Sequence, residues 1–443
     1  MPEADTLSLP TLERFGRQLE ESSLLRWEGK VIQANGYMVE SEGPFCSVGE
    51  CCQIEGQDGQ SATGEIIGFH GSTVLSMPLA ETHGIRYGDR IVTWGDYPRV
   101  PAGDGLIGRV IDAEGNPIDG LGGFSASERR RVDAGCPTPM SREPISEPIG
   151  CGVRAIDAMI TCGRGQRMGI FGGSGVGKST LTGMMARGTT ADLTVVALIG
   201  ERGREVREFL EDALGEEGRR RSVVVVSTSD QSPLLRLRAA RTAHAVAEHF
   251  CARGKNVLMV LDSITRFAMA QREVGLAAGE PPTSKGYTPS VFRMLAQLVE
   301  RTGNMGTGSI TAFYSVLMEG DDLMDPIVDS VRSLLDGHIM LDRRLTSEGH
   351  FPAINILESL SRLMPAITTP EHMAAATAIR KHMAIYTRNE DLIRIGAYQK
   401  GSDAELDAAI AAMPAIRAFL QQKSHEIPAM ADTVASLREL VTK

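Results

Sequence analysis

A metal or disulfide framework is missing from this chain. Its seven cysteines (Cys46, Cys51, Cys52, Cys136, Cys151, Cys162 and Cys251) are odd in number and scattered, with no Cys-x-x-Cys pair and no His-rich partner cluster. Neither a zinc site nor a set of bridges is indicated, and reduced thiols are expected. A basic excess is also missing. The net charge is −10, which excludes coating nucleic acid as a whole-protein role and leaves only a local basic site open. No run approaches the roughly 18–20 apolar residues of a membrane span. The acidic start Met1-Pro2-Glu3-Ala4-Asp5 leads into no apolar core, so no signal peptide is read there. These absences predict a soluble, cytoplasmic protein that meets a membrane machine only through partners. Internal repeats and low-complexity tails are absent too. What is present is a globular composition, 42% hydrophobic and 23% charged, long enough at 443 residues for two or three domains.

The strongest pattern is GGSGVGKS at 172–179, a Gly-x-x-x-x-Gly-Lys-Ser loop directly after the strand-like run Met168-Gly169-Ile170-Phe171. Gly172, Gly173, Ser174, Gly175, Val176 and Gly177 let successive backbone N–H groups curl around a polyphosphate. Lys178 adds a point charge, and the Ser179 hydroxyl suits Mg²⁺. The helix opening through Thr180 and Leu181 aims its positive end at the same anion. The chain is expected to bind a nucleoside triphosphate with Mg²⁺, ATP being the substrate assigned.

Two carboxylates follow on later strands. The apolar run 257–261 ends in Asp262, the position from which a strand offers a carboxylate to Mg²⁺, through water. The alternative is an N-cap for the next helix. The run 193–199 ends in Gly200-Glu201-Arg202, where Glu201 is placed to orient or deprotonate the attacking water. A solvated charge run opening a helix is the other reading, and it suits Glu205, Arg207 and Glu208 better. Arg202 either neutralises developing phosphate charge or holds Glu201; the residues do not choose.

Around these motifs the chain divides at 1–24, 25–97, 98–370 and 371–443. Residues 7–22 have Leu12, Phe15 and Leu19 at helical spacing among charges, an amphipathic segment that packs on the body or docks a partner. Residues 25–95 carry short β-rich runs broken by glycine-bearing turns, the rhythm of a small antiparallel barrel or sandwich with nothing catalytic in it. The stretch 98–150 reads as a Pro- and Gly-rich connection with one strand. Beyond 165, apolar strands alternate with helices, predicting an α/β parallel sheet covered on both faces. Residues 371–443 read as helical, broken near Gly396 and Pro414.

The motif series LIGRVIDAEGNPIDG (106–120), GVRAIDAMITCGRGQRMGIFGGSGVGKST (152–180), IGERGREVREF (199–209), LDSITRFAMAQRE (261–273), GYTPSVF (286–292), SITAFYSVLMEGDD (309–322), SLLDGHI (333–339) and FPAINILESLSR (351–362) resembles the catalytic subunits of rotary-type hexameric ATPases. The resemblance is strongest to the export ATPases of flagellar and type III secretion systems. It implies an N-terminal β-barrel, a RecA-like ATPase core and a C-terminal helical domain. It assigns water activation to Glu201, an arginine finger acting on the neighbouring subunit to Arg362, and adenine stacking to Phe351, where relatives more often carry Tyr. Gly173 stands where relatives commonly have Ala. The implied partners are five further copies in a ring, a central stalk facing the loop EGDDLMDP (319–326), a stator-like regulator on the N-terminal segment, and an export gate with substrate–chaperone complexes, at the cytoplasmic face of the export apparatus. AGEPPTSKGYTPSVF (278–292) and AMAQRE (268–273) tilt the reading toward the flagellum over an injectisome. A non-catalytic nucleotide-binding subunit is opposed by Glu201, Lys178 and Arg362. A nucleic-acid translocase is opposed by the acidic balance and by the lack of an interleaved basic and aromatic face in 25–95.

Overall fold

The computed structural model describes residues 25–56, 59–80, 83–318, 320, 322 and 324–442; the amphipathic segment expected at 7–22 lies outside them. Two compact units result, the barrel ending at Arg99 and a larger unit with the main sheet and C-terminal helices.

In the first unit, β1 (Trp27–Asn35), β2 (Met38–Glu42), β3 (Cys51–Glu55), β4 (Ser61–His70), β5 (Thr73–Pro78) and β6 (Arg90–Thr93) close in the order β1-β2-β5-β4-β3-β6. Of the two architectures open to the sequence, closure selects the barrel and leaves no strand edge unpaired. Val31, Val39, Ile54, Ile66, Val74 and Ile91 fill it. Two-residue turns join β1 to β2 and β4 to β5, with Gly36 (φ 56°) and Gly71 (φ 62°) at the first central position, where tight hairpins need a positive φ.

The second unit is built on β7 (Val110–Ile111), β8 (Arg167–Gly172), β9 (Leu193–Glu201), β10 (Ser222–Thr228), β11 (Asn256–Asp262), β12 (Ser309–Leu317), β13 (Gly337–Leu341) and β14 (Ile354–Ser361). Their order is β14-β13-β8-β12-β11-β9-β10-β7. All neighbours are parallel except β14, which runs antiparallel to β13. Residues such as Val195, Val224, Leu258 and Phe313 are fully buried, as expected for strands covered on both faces.

The stretch 98–150 holds more structure than the single strand expected. Short strands lie at Arg99–Ala102, Glu128–Arg131 and Pro148–Ile149, and β7 joins the main sheet beside β10. The Asp119 carboxylate braces β7, accepting hydrogen bonds from Val110 N at 3.0 Å and from Arg109 Nε at 2.7 Å. Strands of two to four residues are too short to show alternation in the sequence.

Helix α1 (Lys178–Gly188) follows β8, α2 (Pro326–Leu334) precedes β13, and α3 (Pro370–Arg394), α4 (Ala404–Leu420) and α5 (Met430–Thr442) end the chain. One hydrophobic core contains Ile170 of β8, Met184 of α1, Ile379 of α3, Ile416 of α4 and Leu437 of α5. The expected break at Gly396 is present, with φ 72° just after α3. The break at Pro414 is not: α4 runs straight through it. Pro414 costs one helical hydrogen bond, but Met413 and Ile416 on either side are buried, and that packing carries the helix across.

Candidate active site

Parallel strands that share a direction end on the same edge, so β8, β9 and β11 deliver Gly172, Glu201 and Asp262 to one side of the sheet. At Gly172 a Cβ would sit 2.9 Å from Val176 Cγ2 and 3.0 Å from Leu341 Cβ, so the loop closes only on glycine. Gly175 (φ 79°) and Gly177 (φ 93°) take the left-handed conformation that lets the loop curl back. Gly177 is the N-cap of α1, whose first N–H groups have no intrahelical acceptor and face the loop. Lys178 is 8% exposed; its Nζ donates to the Gly172 carbonyl at 2.9 Å and to the Gly173 carbonyl. The ammonium is desolvated and held over the loop.

A cleft of about 400 Å³ beside the loop brings together Ser179, Thr180, Glu201, Glu205 and Asp262. Asp262 pairs in register with Leu198, so Glu201 stands three residues further along the adjacent strand, past a bulge at Gly200 (φ 69°). Burial pushes the Asp262 carboxyl above the usual range, while Ser315, Lys178 and Arg266 pull it back. Glu201 is pushed up to about 8, first by burial, then by the negative charge of Asp262 and a hydrogen bond with Glu205.

The donor set fits magnesium. The Ser179 hydroxyl and the buried Asp262 carboxylate, both hard oxygens, share the cleft, and among the described residues no group of three or more His, Cys, Asp or Glu forms a protein cage. Mg²⁺ bound with a nucleotide takes few protein ligands and keeps water and phosphate for the rest.

Arg202 does not line this cleft. Its side chain is 78% exposed and pairs with Glu205 at 3.4 Å, capping the helix Gly203–Glu208. The cation near Glu201 is Arg266, which opposes the rise in both Glu201 and Asp262. A Cβ on Gly200 would lie 3.1 to 3.3 Å from the Arg266 side chain, so the glycine at the bulge makes room for it. The sequence reading missed Arg266. Its signal was the spacing: four residues after Asp262, on the first turn of the next helix, a side chain turns back toward the strand end.

A second cleft, about 790 Å³, lies between Val176, Gly177 and Thr180 and the ring of Phe351. Phe351 is 47% exposed, leaving its ring free to stack. Ala418 and residues 421–426 line the same cleft. Gln422 N donates to the Phe351 carbonyl at 2.9 Å, and Arg154 Nη2 meets Glu426 at 2.9 Å. Nothing in the sequence of 418–426 marks it as site-forming.

Arg362 is elsewhere. Because β14 is antiparallel, Ser361 stands opposite Gly337, which pairs on its other side with Met168 near the start of β8. The phosphate loop leaves the far end of β8, four residues on and about 13 Å away at roughly 3.3 Å per residue. Arg362 is exposed, lines neither cleft, and its backbone N–H donates to the Asp336 carbonyl at 3.0 Å. It is beyond side-chain reach of its own loop.

A glycine loop between a parallel strand and a helix, with two carboxylates on the same sheet edge, defines a P-loop nucleoside triphosphatase of RecA-like architecture. Residues 152–361 match the nucleotide-binding domain of the ATP synthase alpha/beta family, residues 31–95 its beta-barrel domain, and residues 368–439 the T3SS EscN ATPase C-terminal domain. The flagellum-specific ATP synthase of Bacillus subtilis is 52% identical over 414 residues, 93% of this chain and 94% of that protein. The assembled ATPase EscN of the enteropathogenic E. coli type III secretion system superposes with a TM-score of 0.88 at 45% identity, covering 93% of this chain and all of that one. EscN in complex with its central stalk EscO gives 0.86 at 44%, with the same coverage. The chain belongs to the ATP synthase alpha/beta family, in its flagellar and type III secretion branch, and is an ATPase.

Proposed function

We propose that this chain splits Mg²⁺-ATP at a site shared by adjoining copies in a hexameric ring, and that the hydrolysis energises protein export through the flagellar type III apparatus. The observation that carries the reading is the separation of functional groups. Glu201, Asp262 and Lys178 gather on one sheet edge, while Arg362 stands exposed at the opposite end, too far to serve its own loop.

Gly172 to Gly177 wrap the phosphates with backbone N–H groups, Lys178 neutralises the β/γ oxygens, and Thr180 lines the passage to the base. Phe351 stacks on adenine. Ser179, and Asp262 through water, would hold Mg²⁺, which would offset negative charge on the phosphate groups. Glu201 takes the proton of the attacking water, and the raised affinity of its carboxylate for a proton suits a base working near neutral pH. The neighbour's arginine at position 362 meets the charge that develops on the γ-phosphoryl group, a trans contribution of ~10³–10⁵ in rate in other phosphoryl-transfer enzymes. Arg202 serves the reaction indirectly, through Glu205.

The flagellar assignment over an injectisome rests on the higher identity to the flagellar relative, 52% against 45% for EscN. The loop 319–326 is the surface for a central stalk, as EscN assembles with EscO. The segment 1–24 is the surface for a stator-like regulator, and export gate and substrate–chaperone complexes complete the cytoplasmic assembly.

The test is complementation. Arg362→Ala and Glu201→Gln rings are each expected to be inactive while binding ATP. Mixing them creates interfaces with an intact Glu201 facing an intact Arg362, and activity returns. Mixed rings that stay inactive contradict the shared site.

A further inference from the structure

A second exposed arginine belongs to the same part of the fold as Arg362. Arg332 lies in the last turn of α2, four residues before Asp336, whose carbonyl accepts the Arg362 N–H. Both side chains are exposed and neither forms an ion pair with a described residue. The Asp336 carboxylate is already committed. Asp336 Oδ2 accepts from Arg167 N at 3.0 Å and Nε at 3.2 Å, and its Oδ1 accepts from Arg167 Nη2 at 3.3 Å. Arg167 in turn reaches Glu300 at 2.6 Å. His338 supplies no compensating charge: its Nε2 meets the Glu358 carbonyl at 2.9 Å, and burial together with Arg332 and Arg362 holds its pKa down, keeping the ring neutral.

Arg332 and Arg362 both act on the His338 ring, so two exposed guanidinium groups without an ion pair among the described residues lie within electrostatic range of one point, in a chain whose net charge is −10. Their mutual repulsion, small in water, turns into a joint attraction for an anion brought between them. A transferring phosphoryl group spreads its charge over three equatorial oxygens, and one guanidinium fork spans two oxygens at most. We infer that Arg332 is a second trans-acting catalytic residue, contacting γ-phosphate oxygens of the neighbouring subunit's ATP beside Arg362. In that step the water oxygen bonds to the γ-phosphorus, the bond to the β–γ bridging oxygen breaks, ADP and inorganic phosphate form, and Glu201 accepts the water proton. The inference rests on the shared site proposed above.

The experiment measures hydrolysis and ligand binding for rings of Arg332→Ala, Arg332→Gln and Arg332→Lys. Arg332→Ala is expected to lower kcat about 10²-fold, the scale of losing one charge-stabilising donor. ATP binding is expected to be kept, binding of ADP with aluminium fluoride to be lost, and Arg332→Lys to be partly active. Arg332 is exposed and unpaired, so Arg332→Gln leaves the fold intact and decides the case if the alanine variant misassembles. Mixing Arg332→Gln with Glu201→Gln subunits restores activity if the group acts in trans. Rates within twofold of the unmodified ring, or aluminium-fluoride binding unchanged, overturn the inference. If the Arg362→Ala and Glu201→Gln mixture recovers and the Arg332→Gln mixture does not, Arg332 alone is refuted. If neither recovers, the shared site itself falls.

Discussion

Replacing Glu201 by glutamine keeps the shape of the side chain and removes a carboxyl that can take a proton near neutral pH. In the free protein its carboxyl is pushed up to about 8 by burial and by Asp262. With that value, roughly one site in eleven is ionised at about pH 7 and roughly ten in eleven at about pH 9, so kcat/KM rises roughly tenfold across the interval. The limb in kcat falls at lower pH, because Mg²⁺ bound at Asp262 offsets the like charge that raises Glu201. Glu201→Gln binds ATP, turns over about 10²–10⁴-fold more slowly, and loses the limb. Stability gives an independent check. The folded-state value lies above that of the unfolded chain, so the stabilisation from this proton is full below the ordinary carboxylate range and is lost as pH rises through about 8. The nucleotide-free glutamine variant therefore melts above the parent protein on the alkaline side. The assay is initial-rate phosphate release at saturating Mg²⁺ between pH 6 and 9.5, with melting curves at the same pH values. A flat kcat/KM profile, or a rise that survives in Glu201→Gln, refutes the assignment.

Phe351→Ala is expected to raise KM for ATP about 5- to 150-fold with kcat little changed, since base–aromatic stacking is worth about 1–3 kcal/mol by alanine substitution. Phe351→Tyr keeps the ring and stays near the parent value, and equal KM for all three removes the stacking role. Gly200→Ala forces a Cβ into the left-handed region and within 3.1 Å of Arg266. The strain costs about 1 kcal/mol or more, and the displaced Arg266 lowers kcat more than it raises KM; unchanged kinetics would separate Arg266 from the reaction.

The motifs that were legible are those in which local order sets position. In a parallel strand–turn–helix unit, GGSGVGKS after β8, Glu201 after β9 and Asp262 after β11 are carried to the same edge by topology alone. Arg362 was legible as a residue through the family resemblance. Its distance from its own loop depended on β14 running antiparallel, and residue spacing does not encode strand direction. Arg266 was missed because its approach to Glu201 follows from the phase of the helix after Asp262 and from space left by Gly200, two elements read separately in the sequence. Ala418 and residues 421–426 were missed because they reach the base cleft through tertiary packing of the C-terminal helices. Pro414 was overread as a helix breaker, where the buried neighbours Met413 and Ile416 outweigh the lost hydrogen bond.

The most direct measurement is a structure of the assembled ring with Mg²⁺, ADP and aluminium fluoride. It is predicted to place the fluoride between Lys178 and Glu201 of one protomer and within hydrogen-bond distance of the arginine at position 362 in its neighbour. A fluoride enclosed by residues of a single protomer, with every Arg362 facing solvent, would contradict the account.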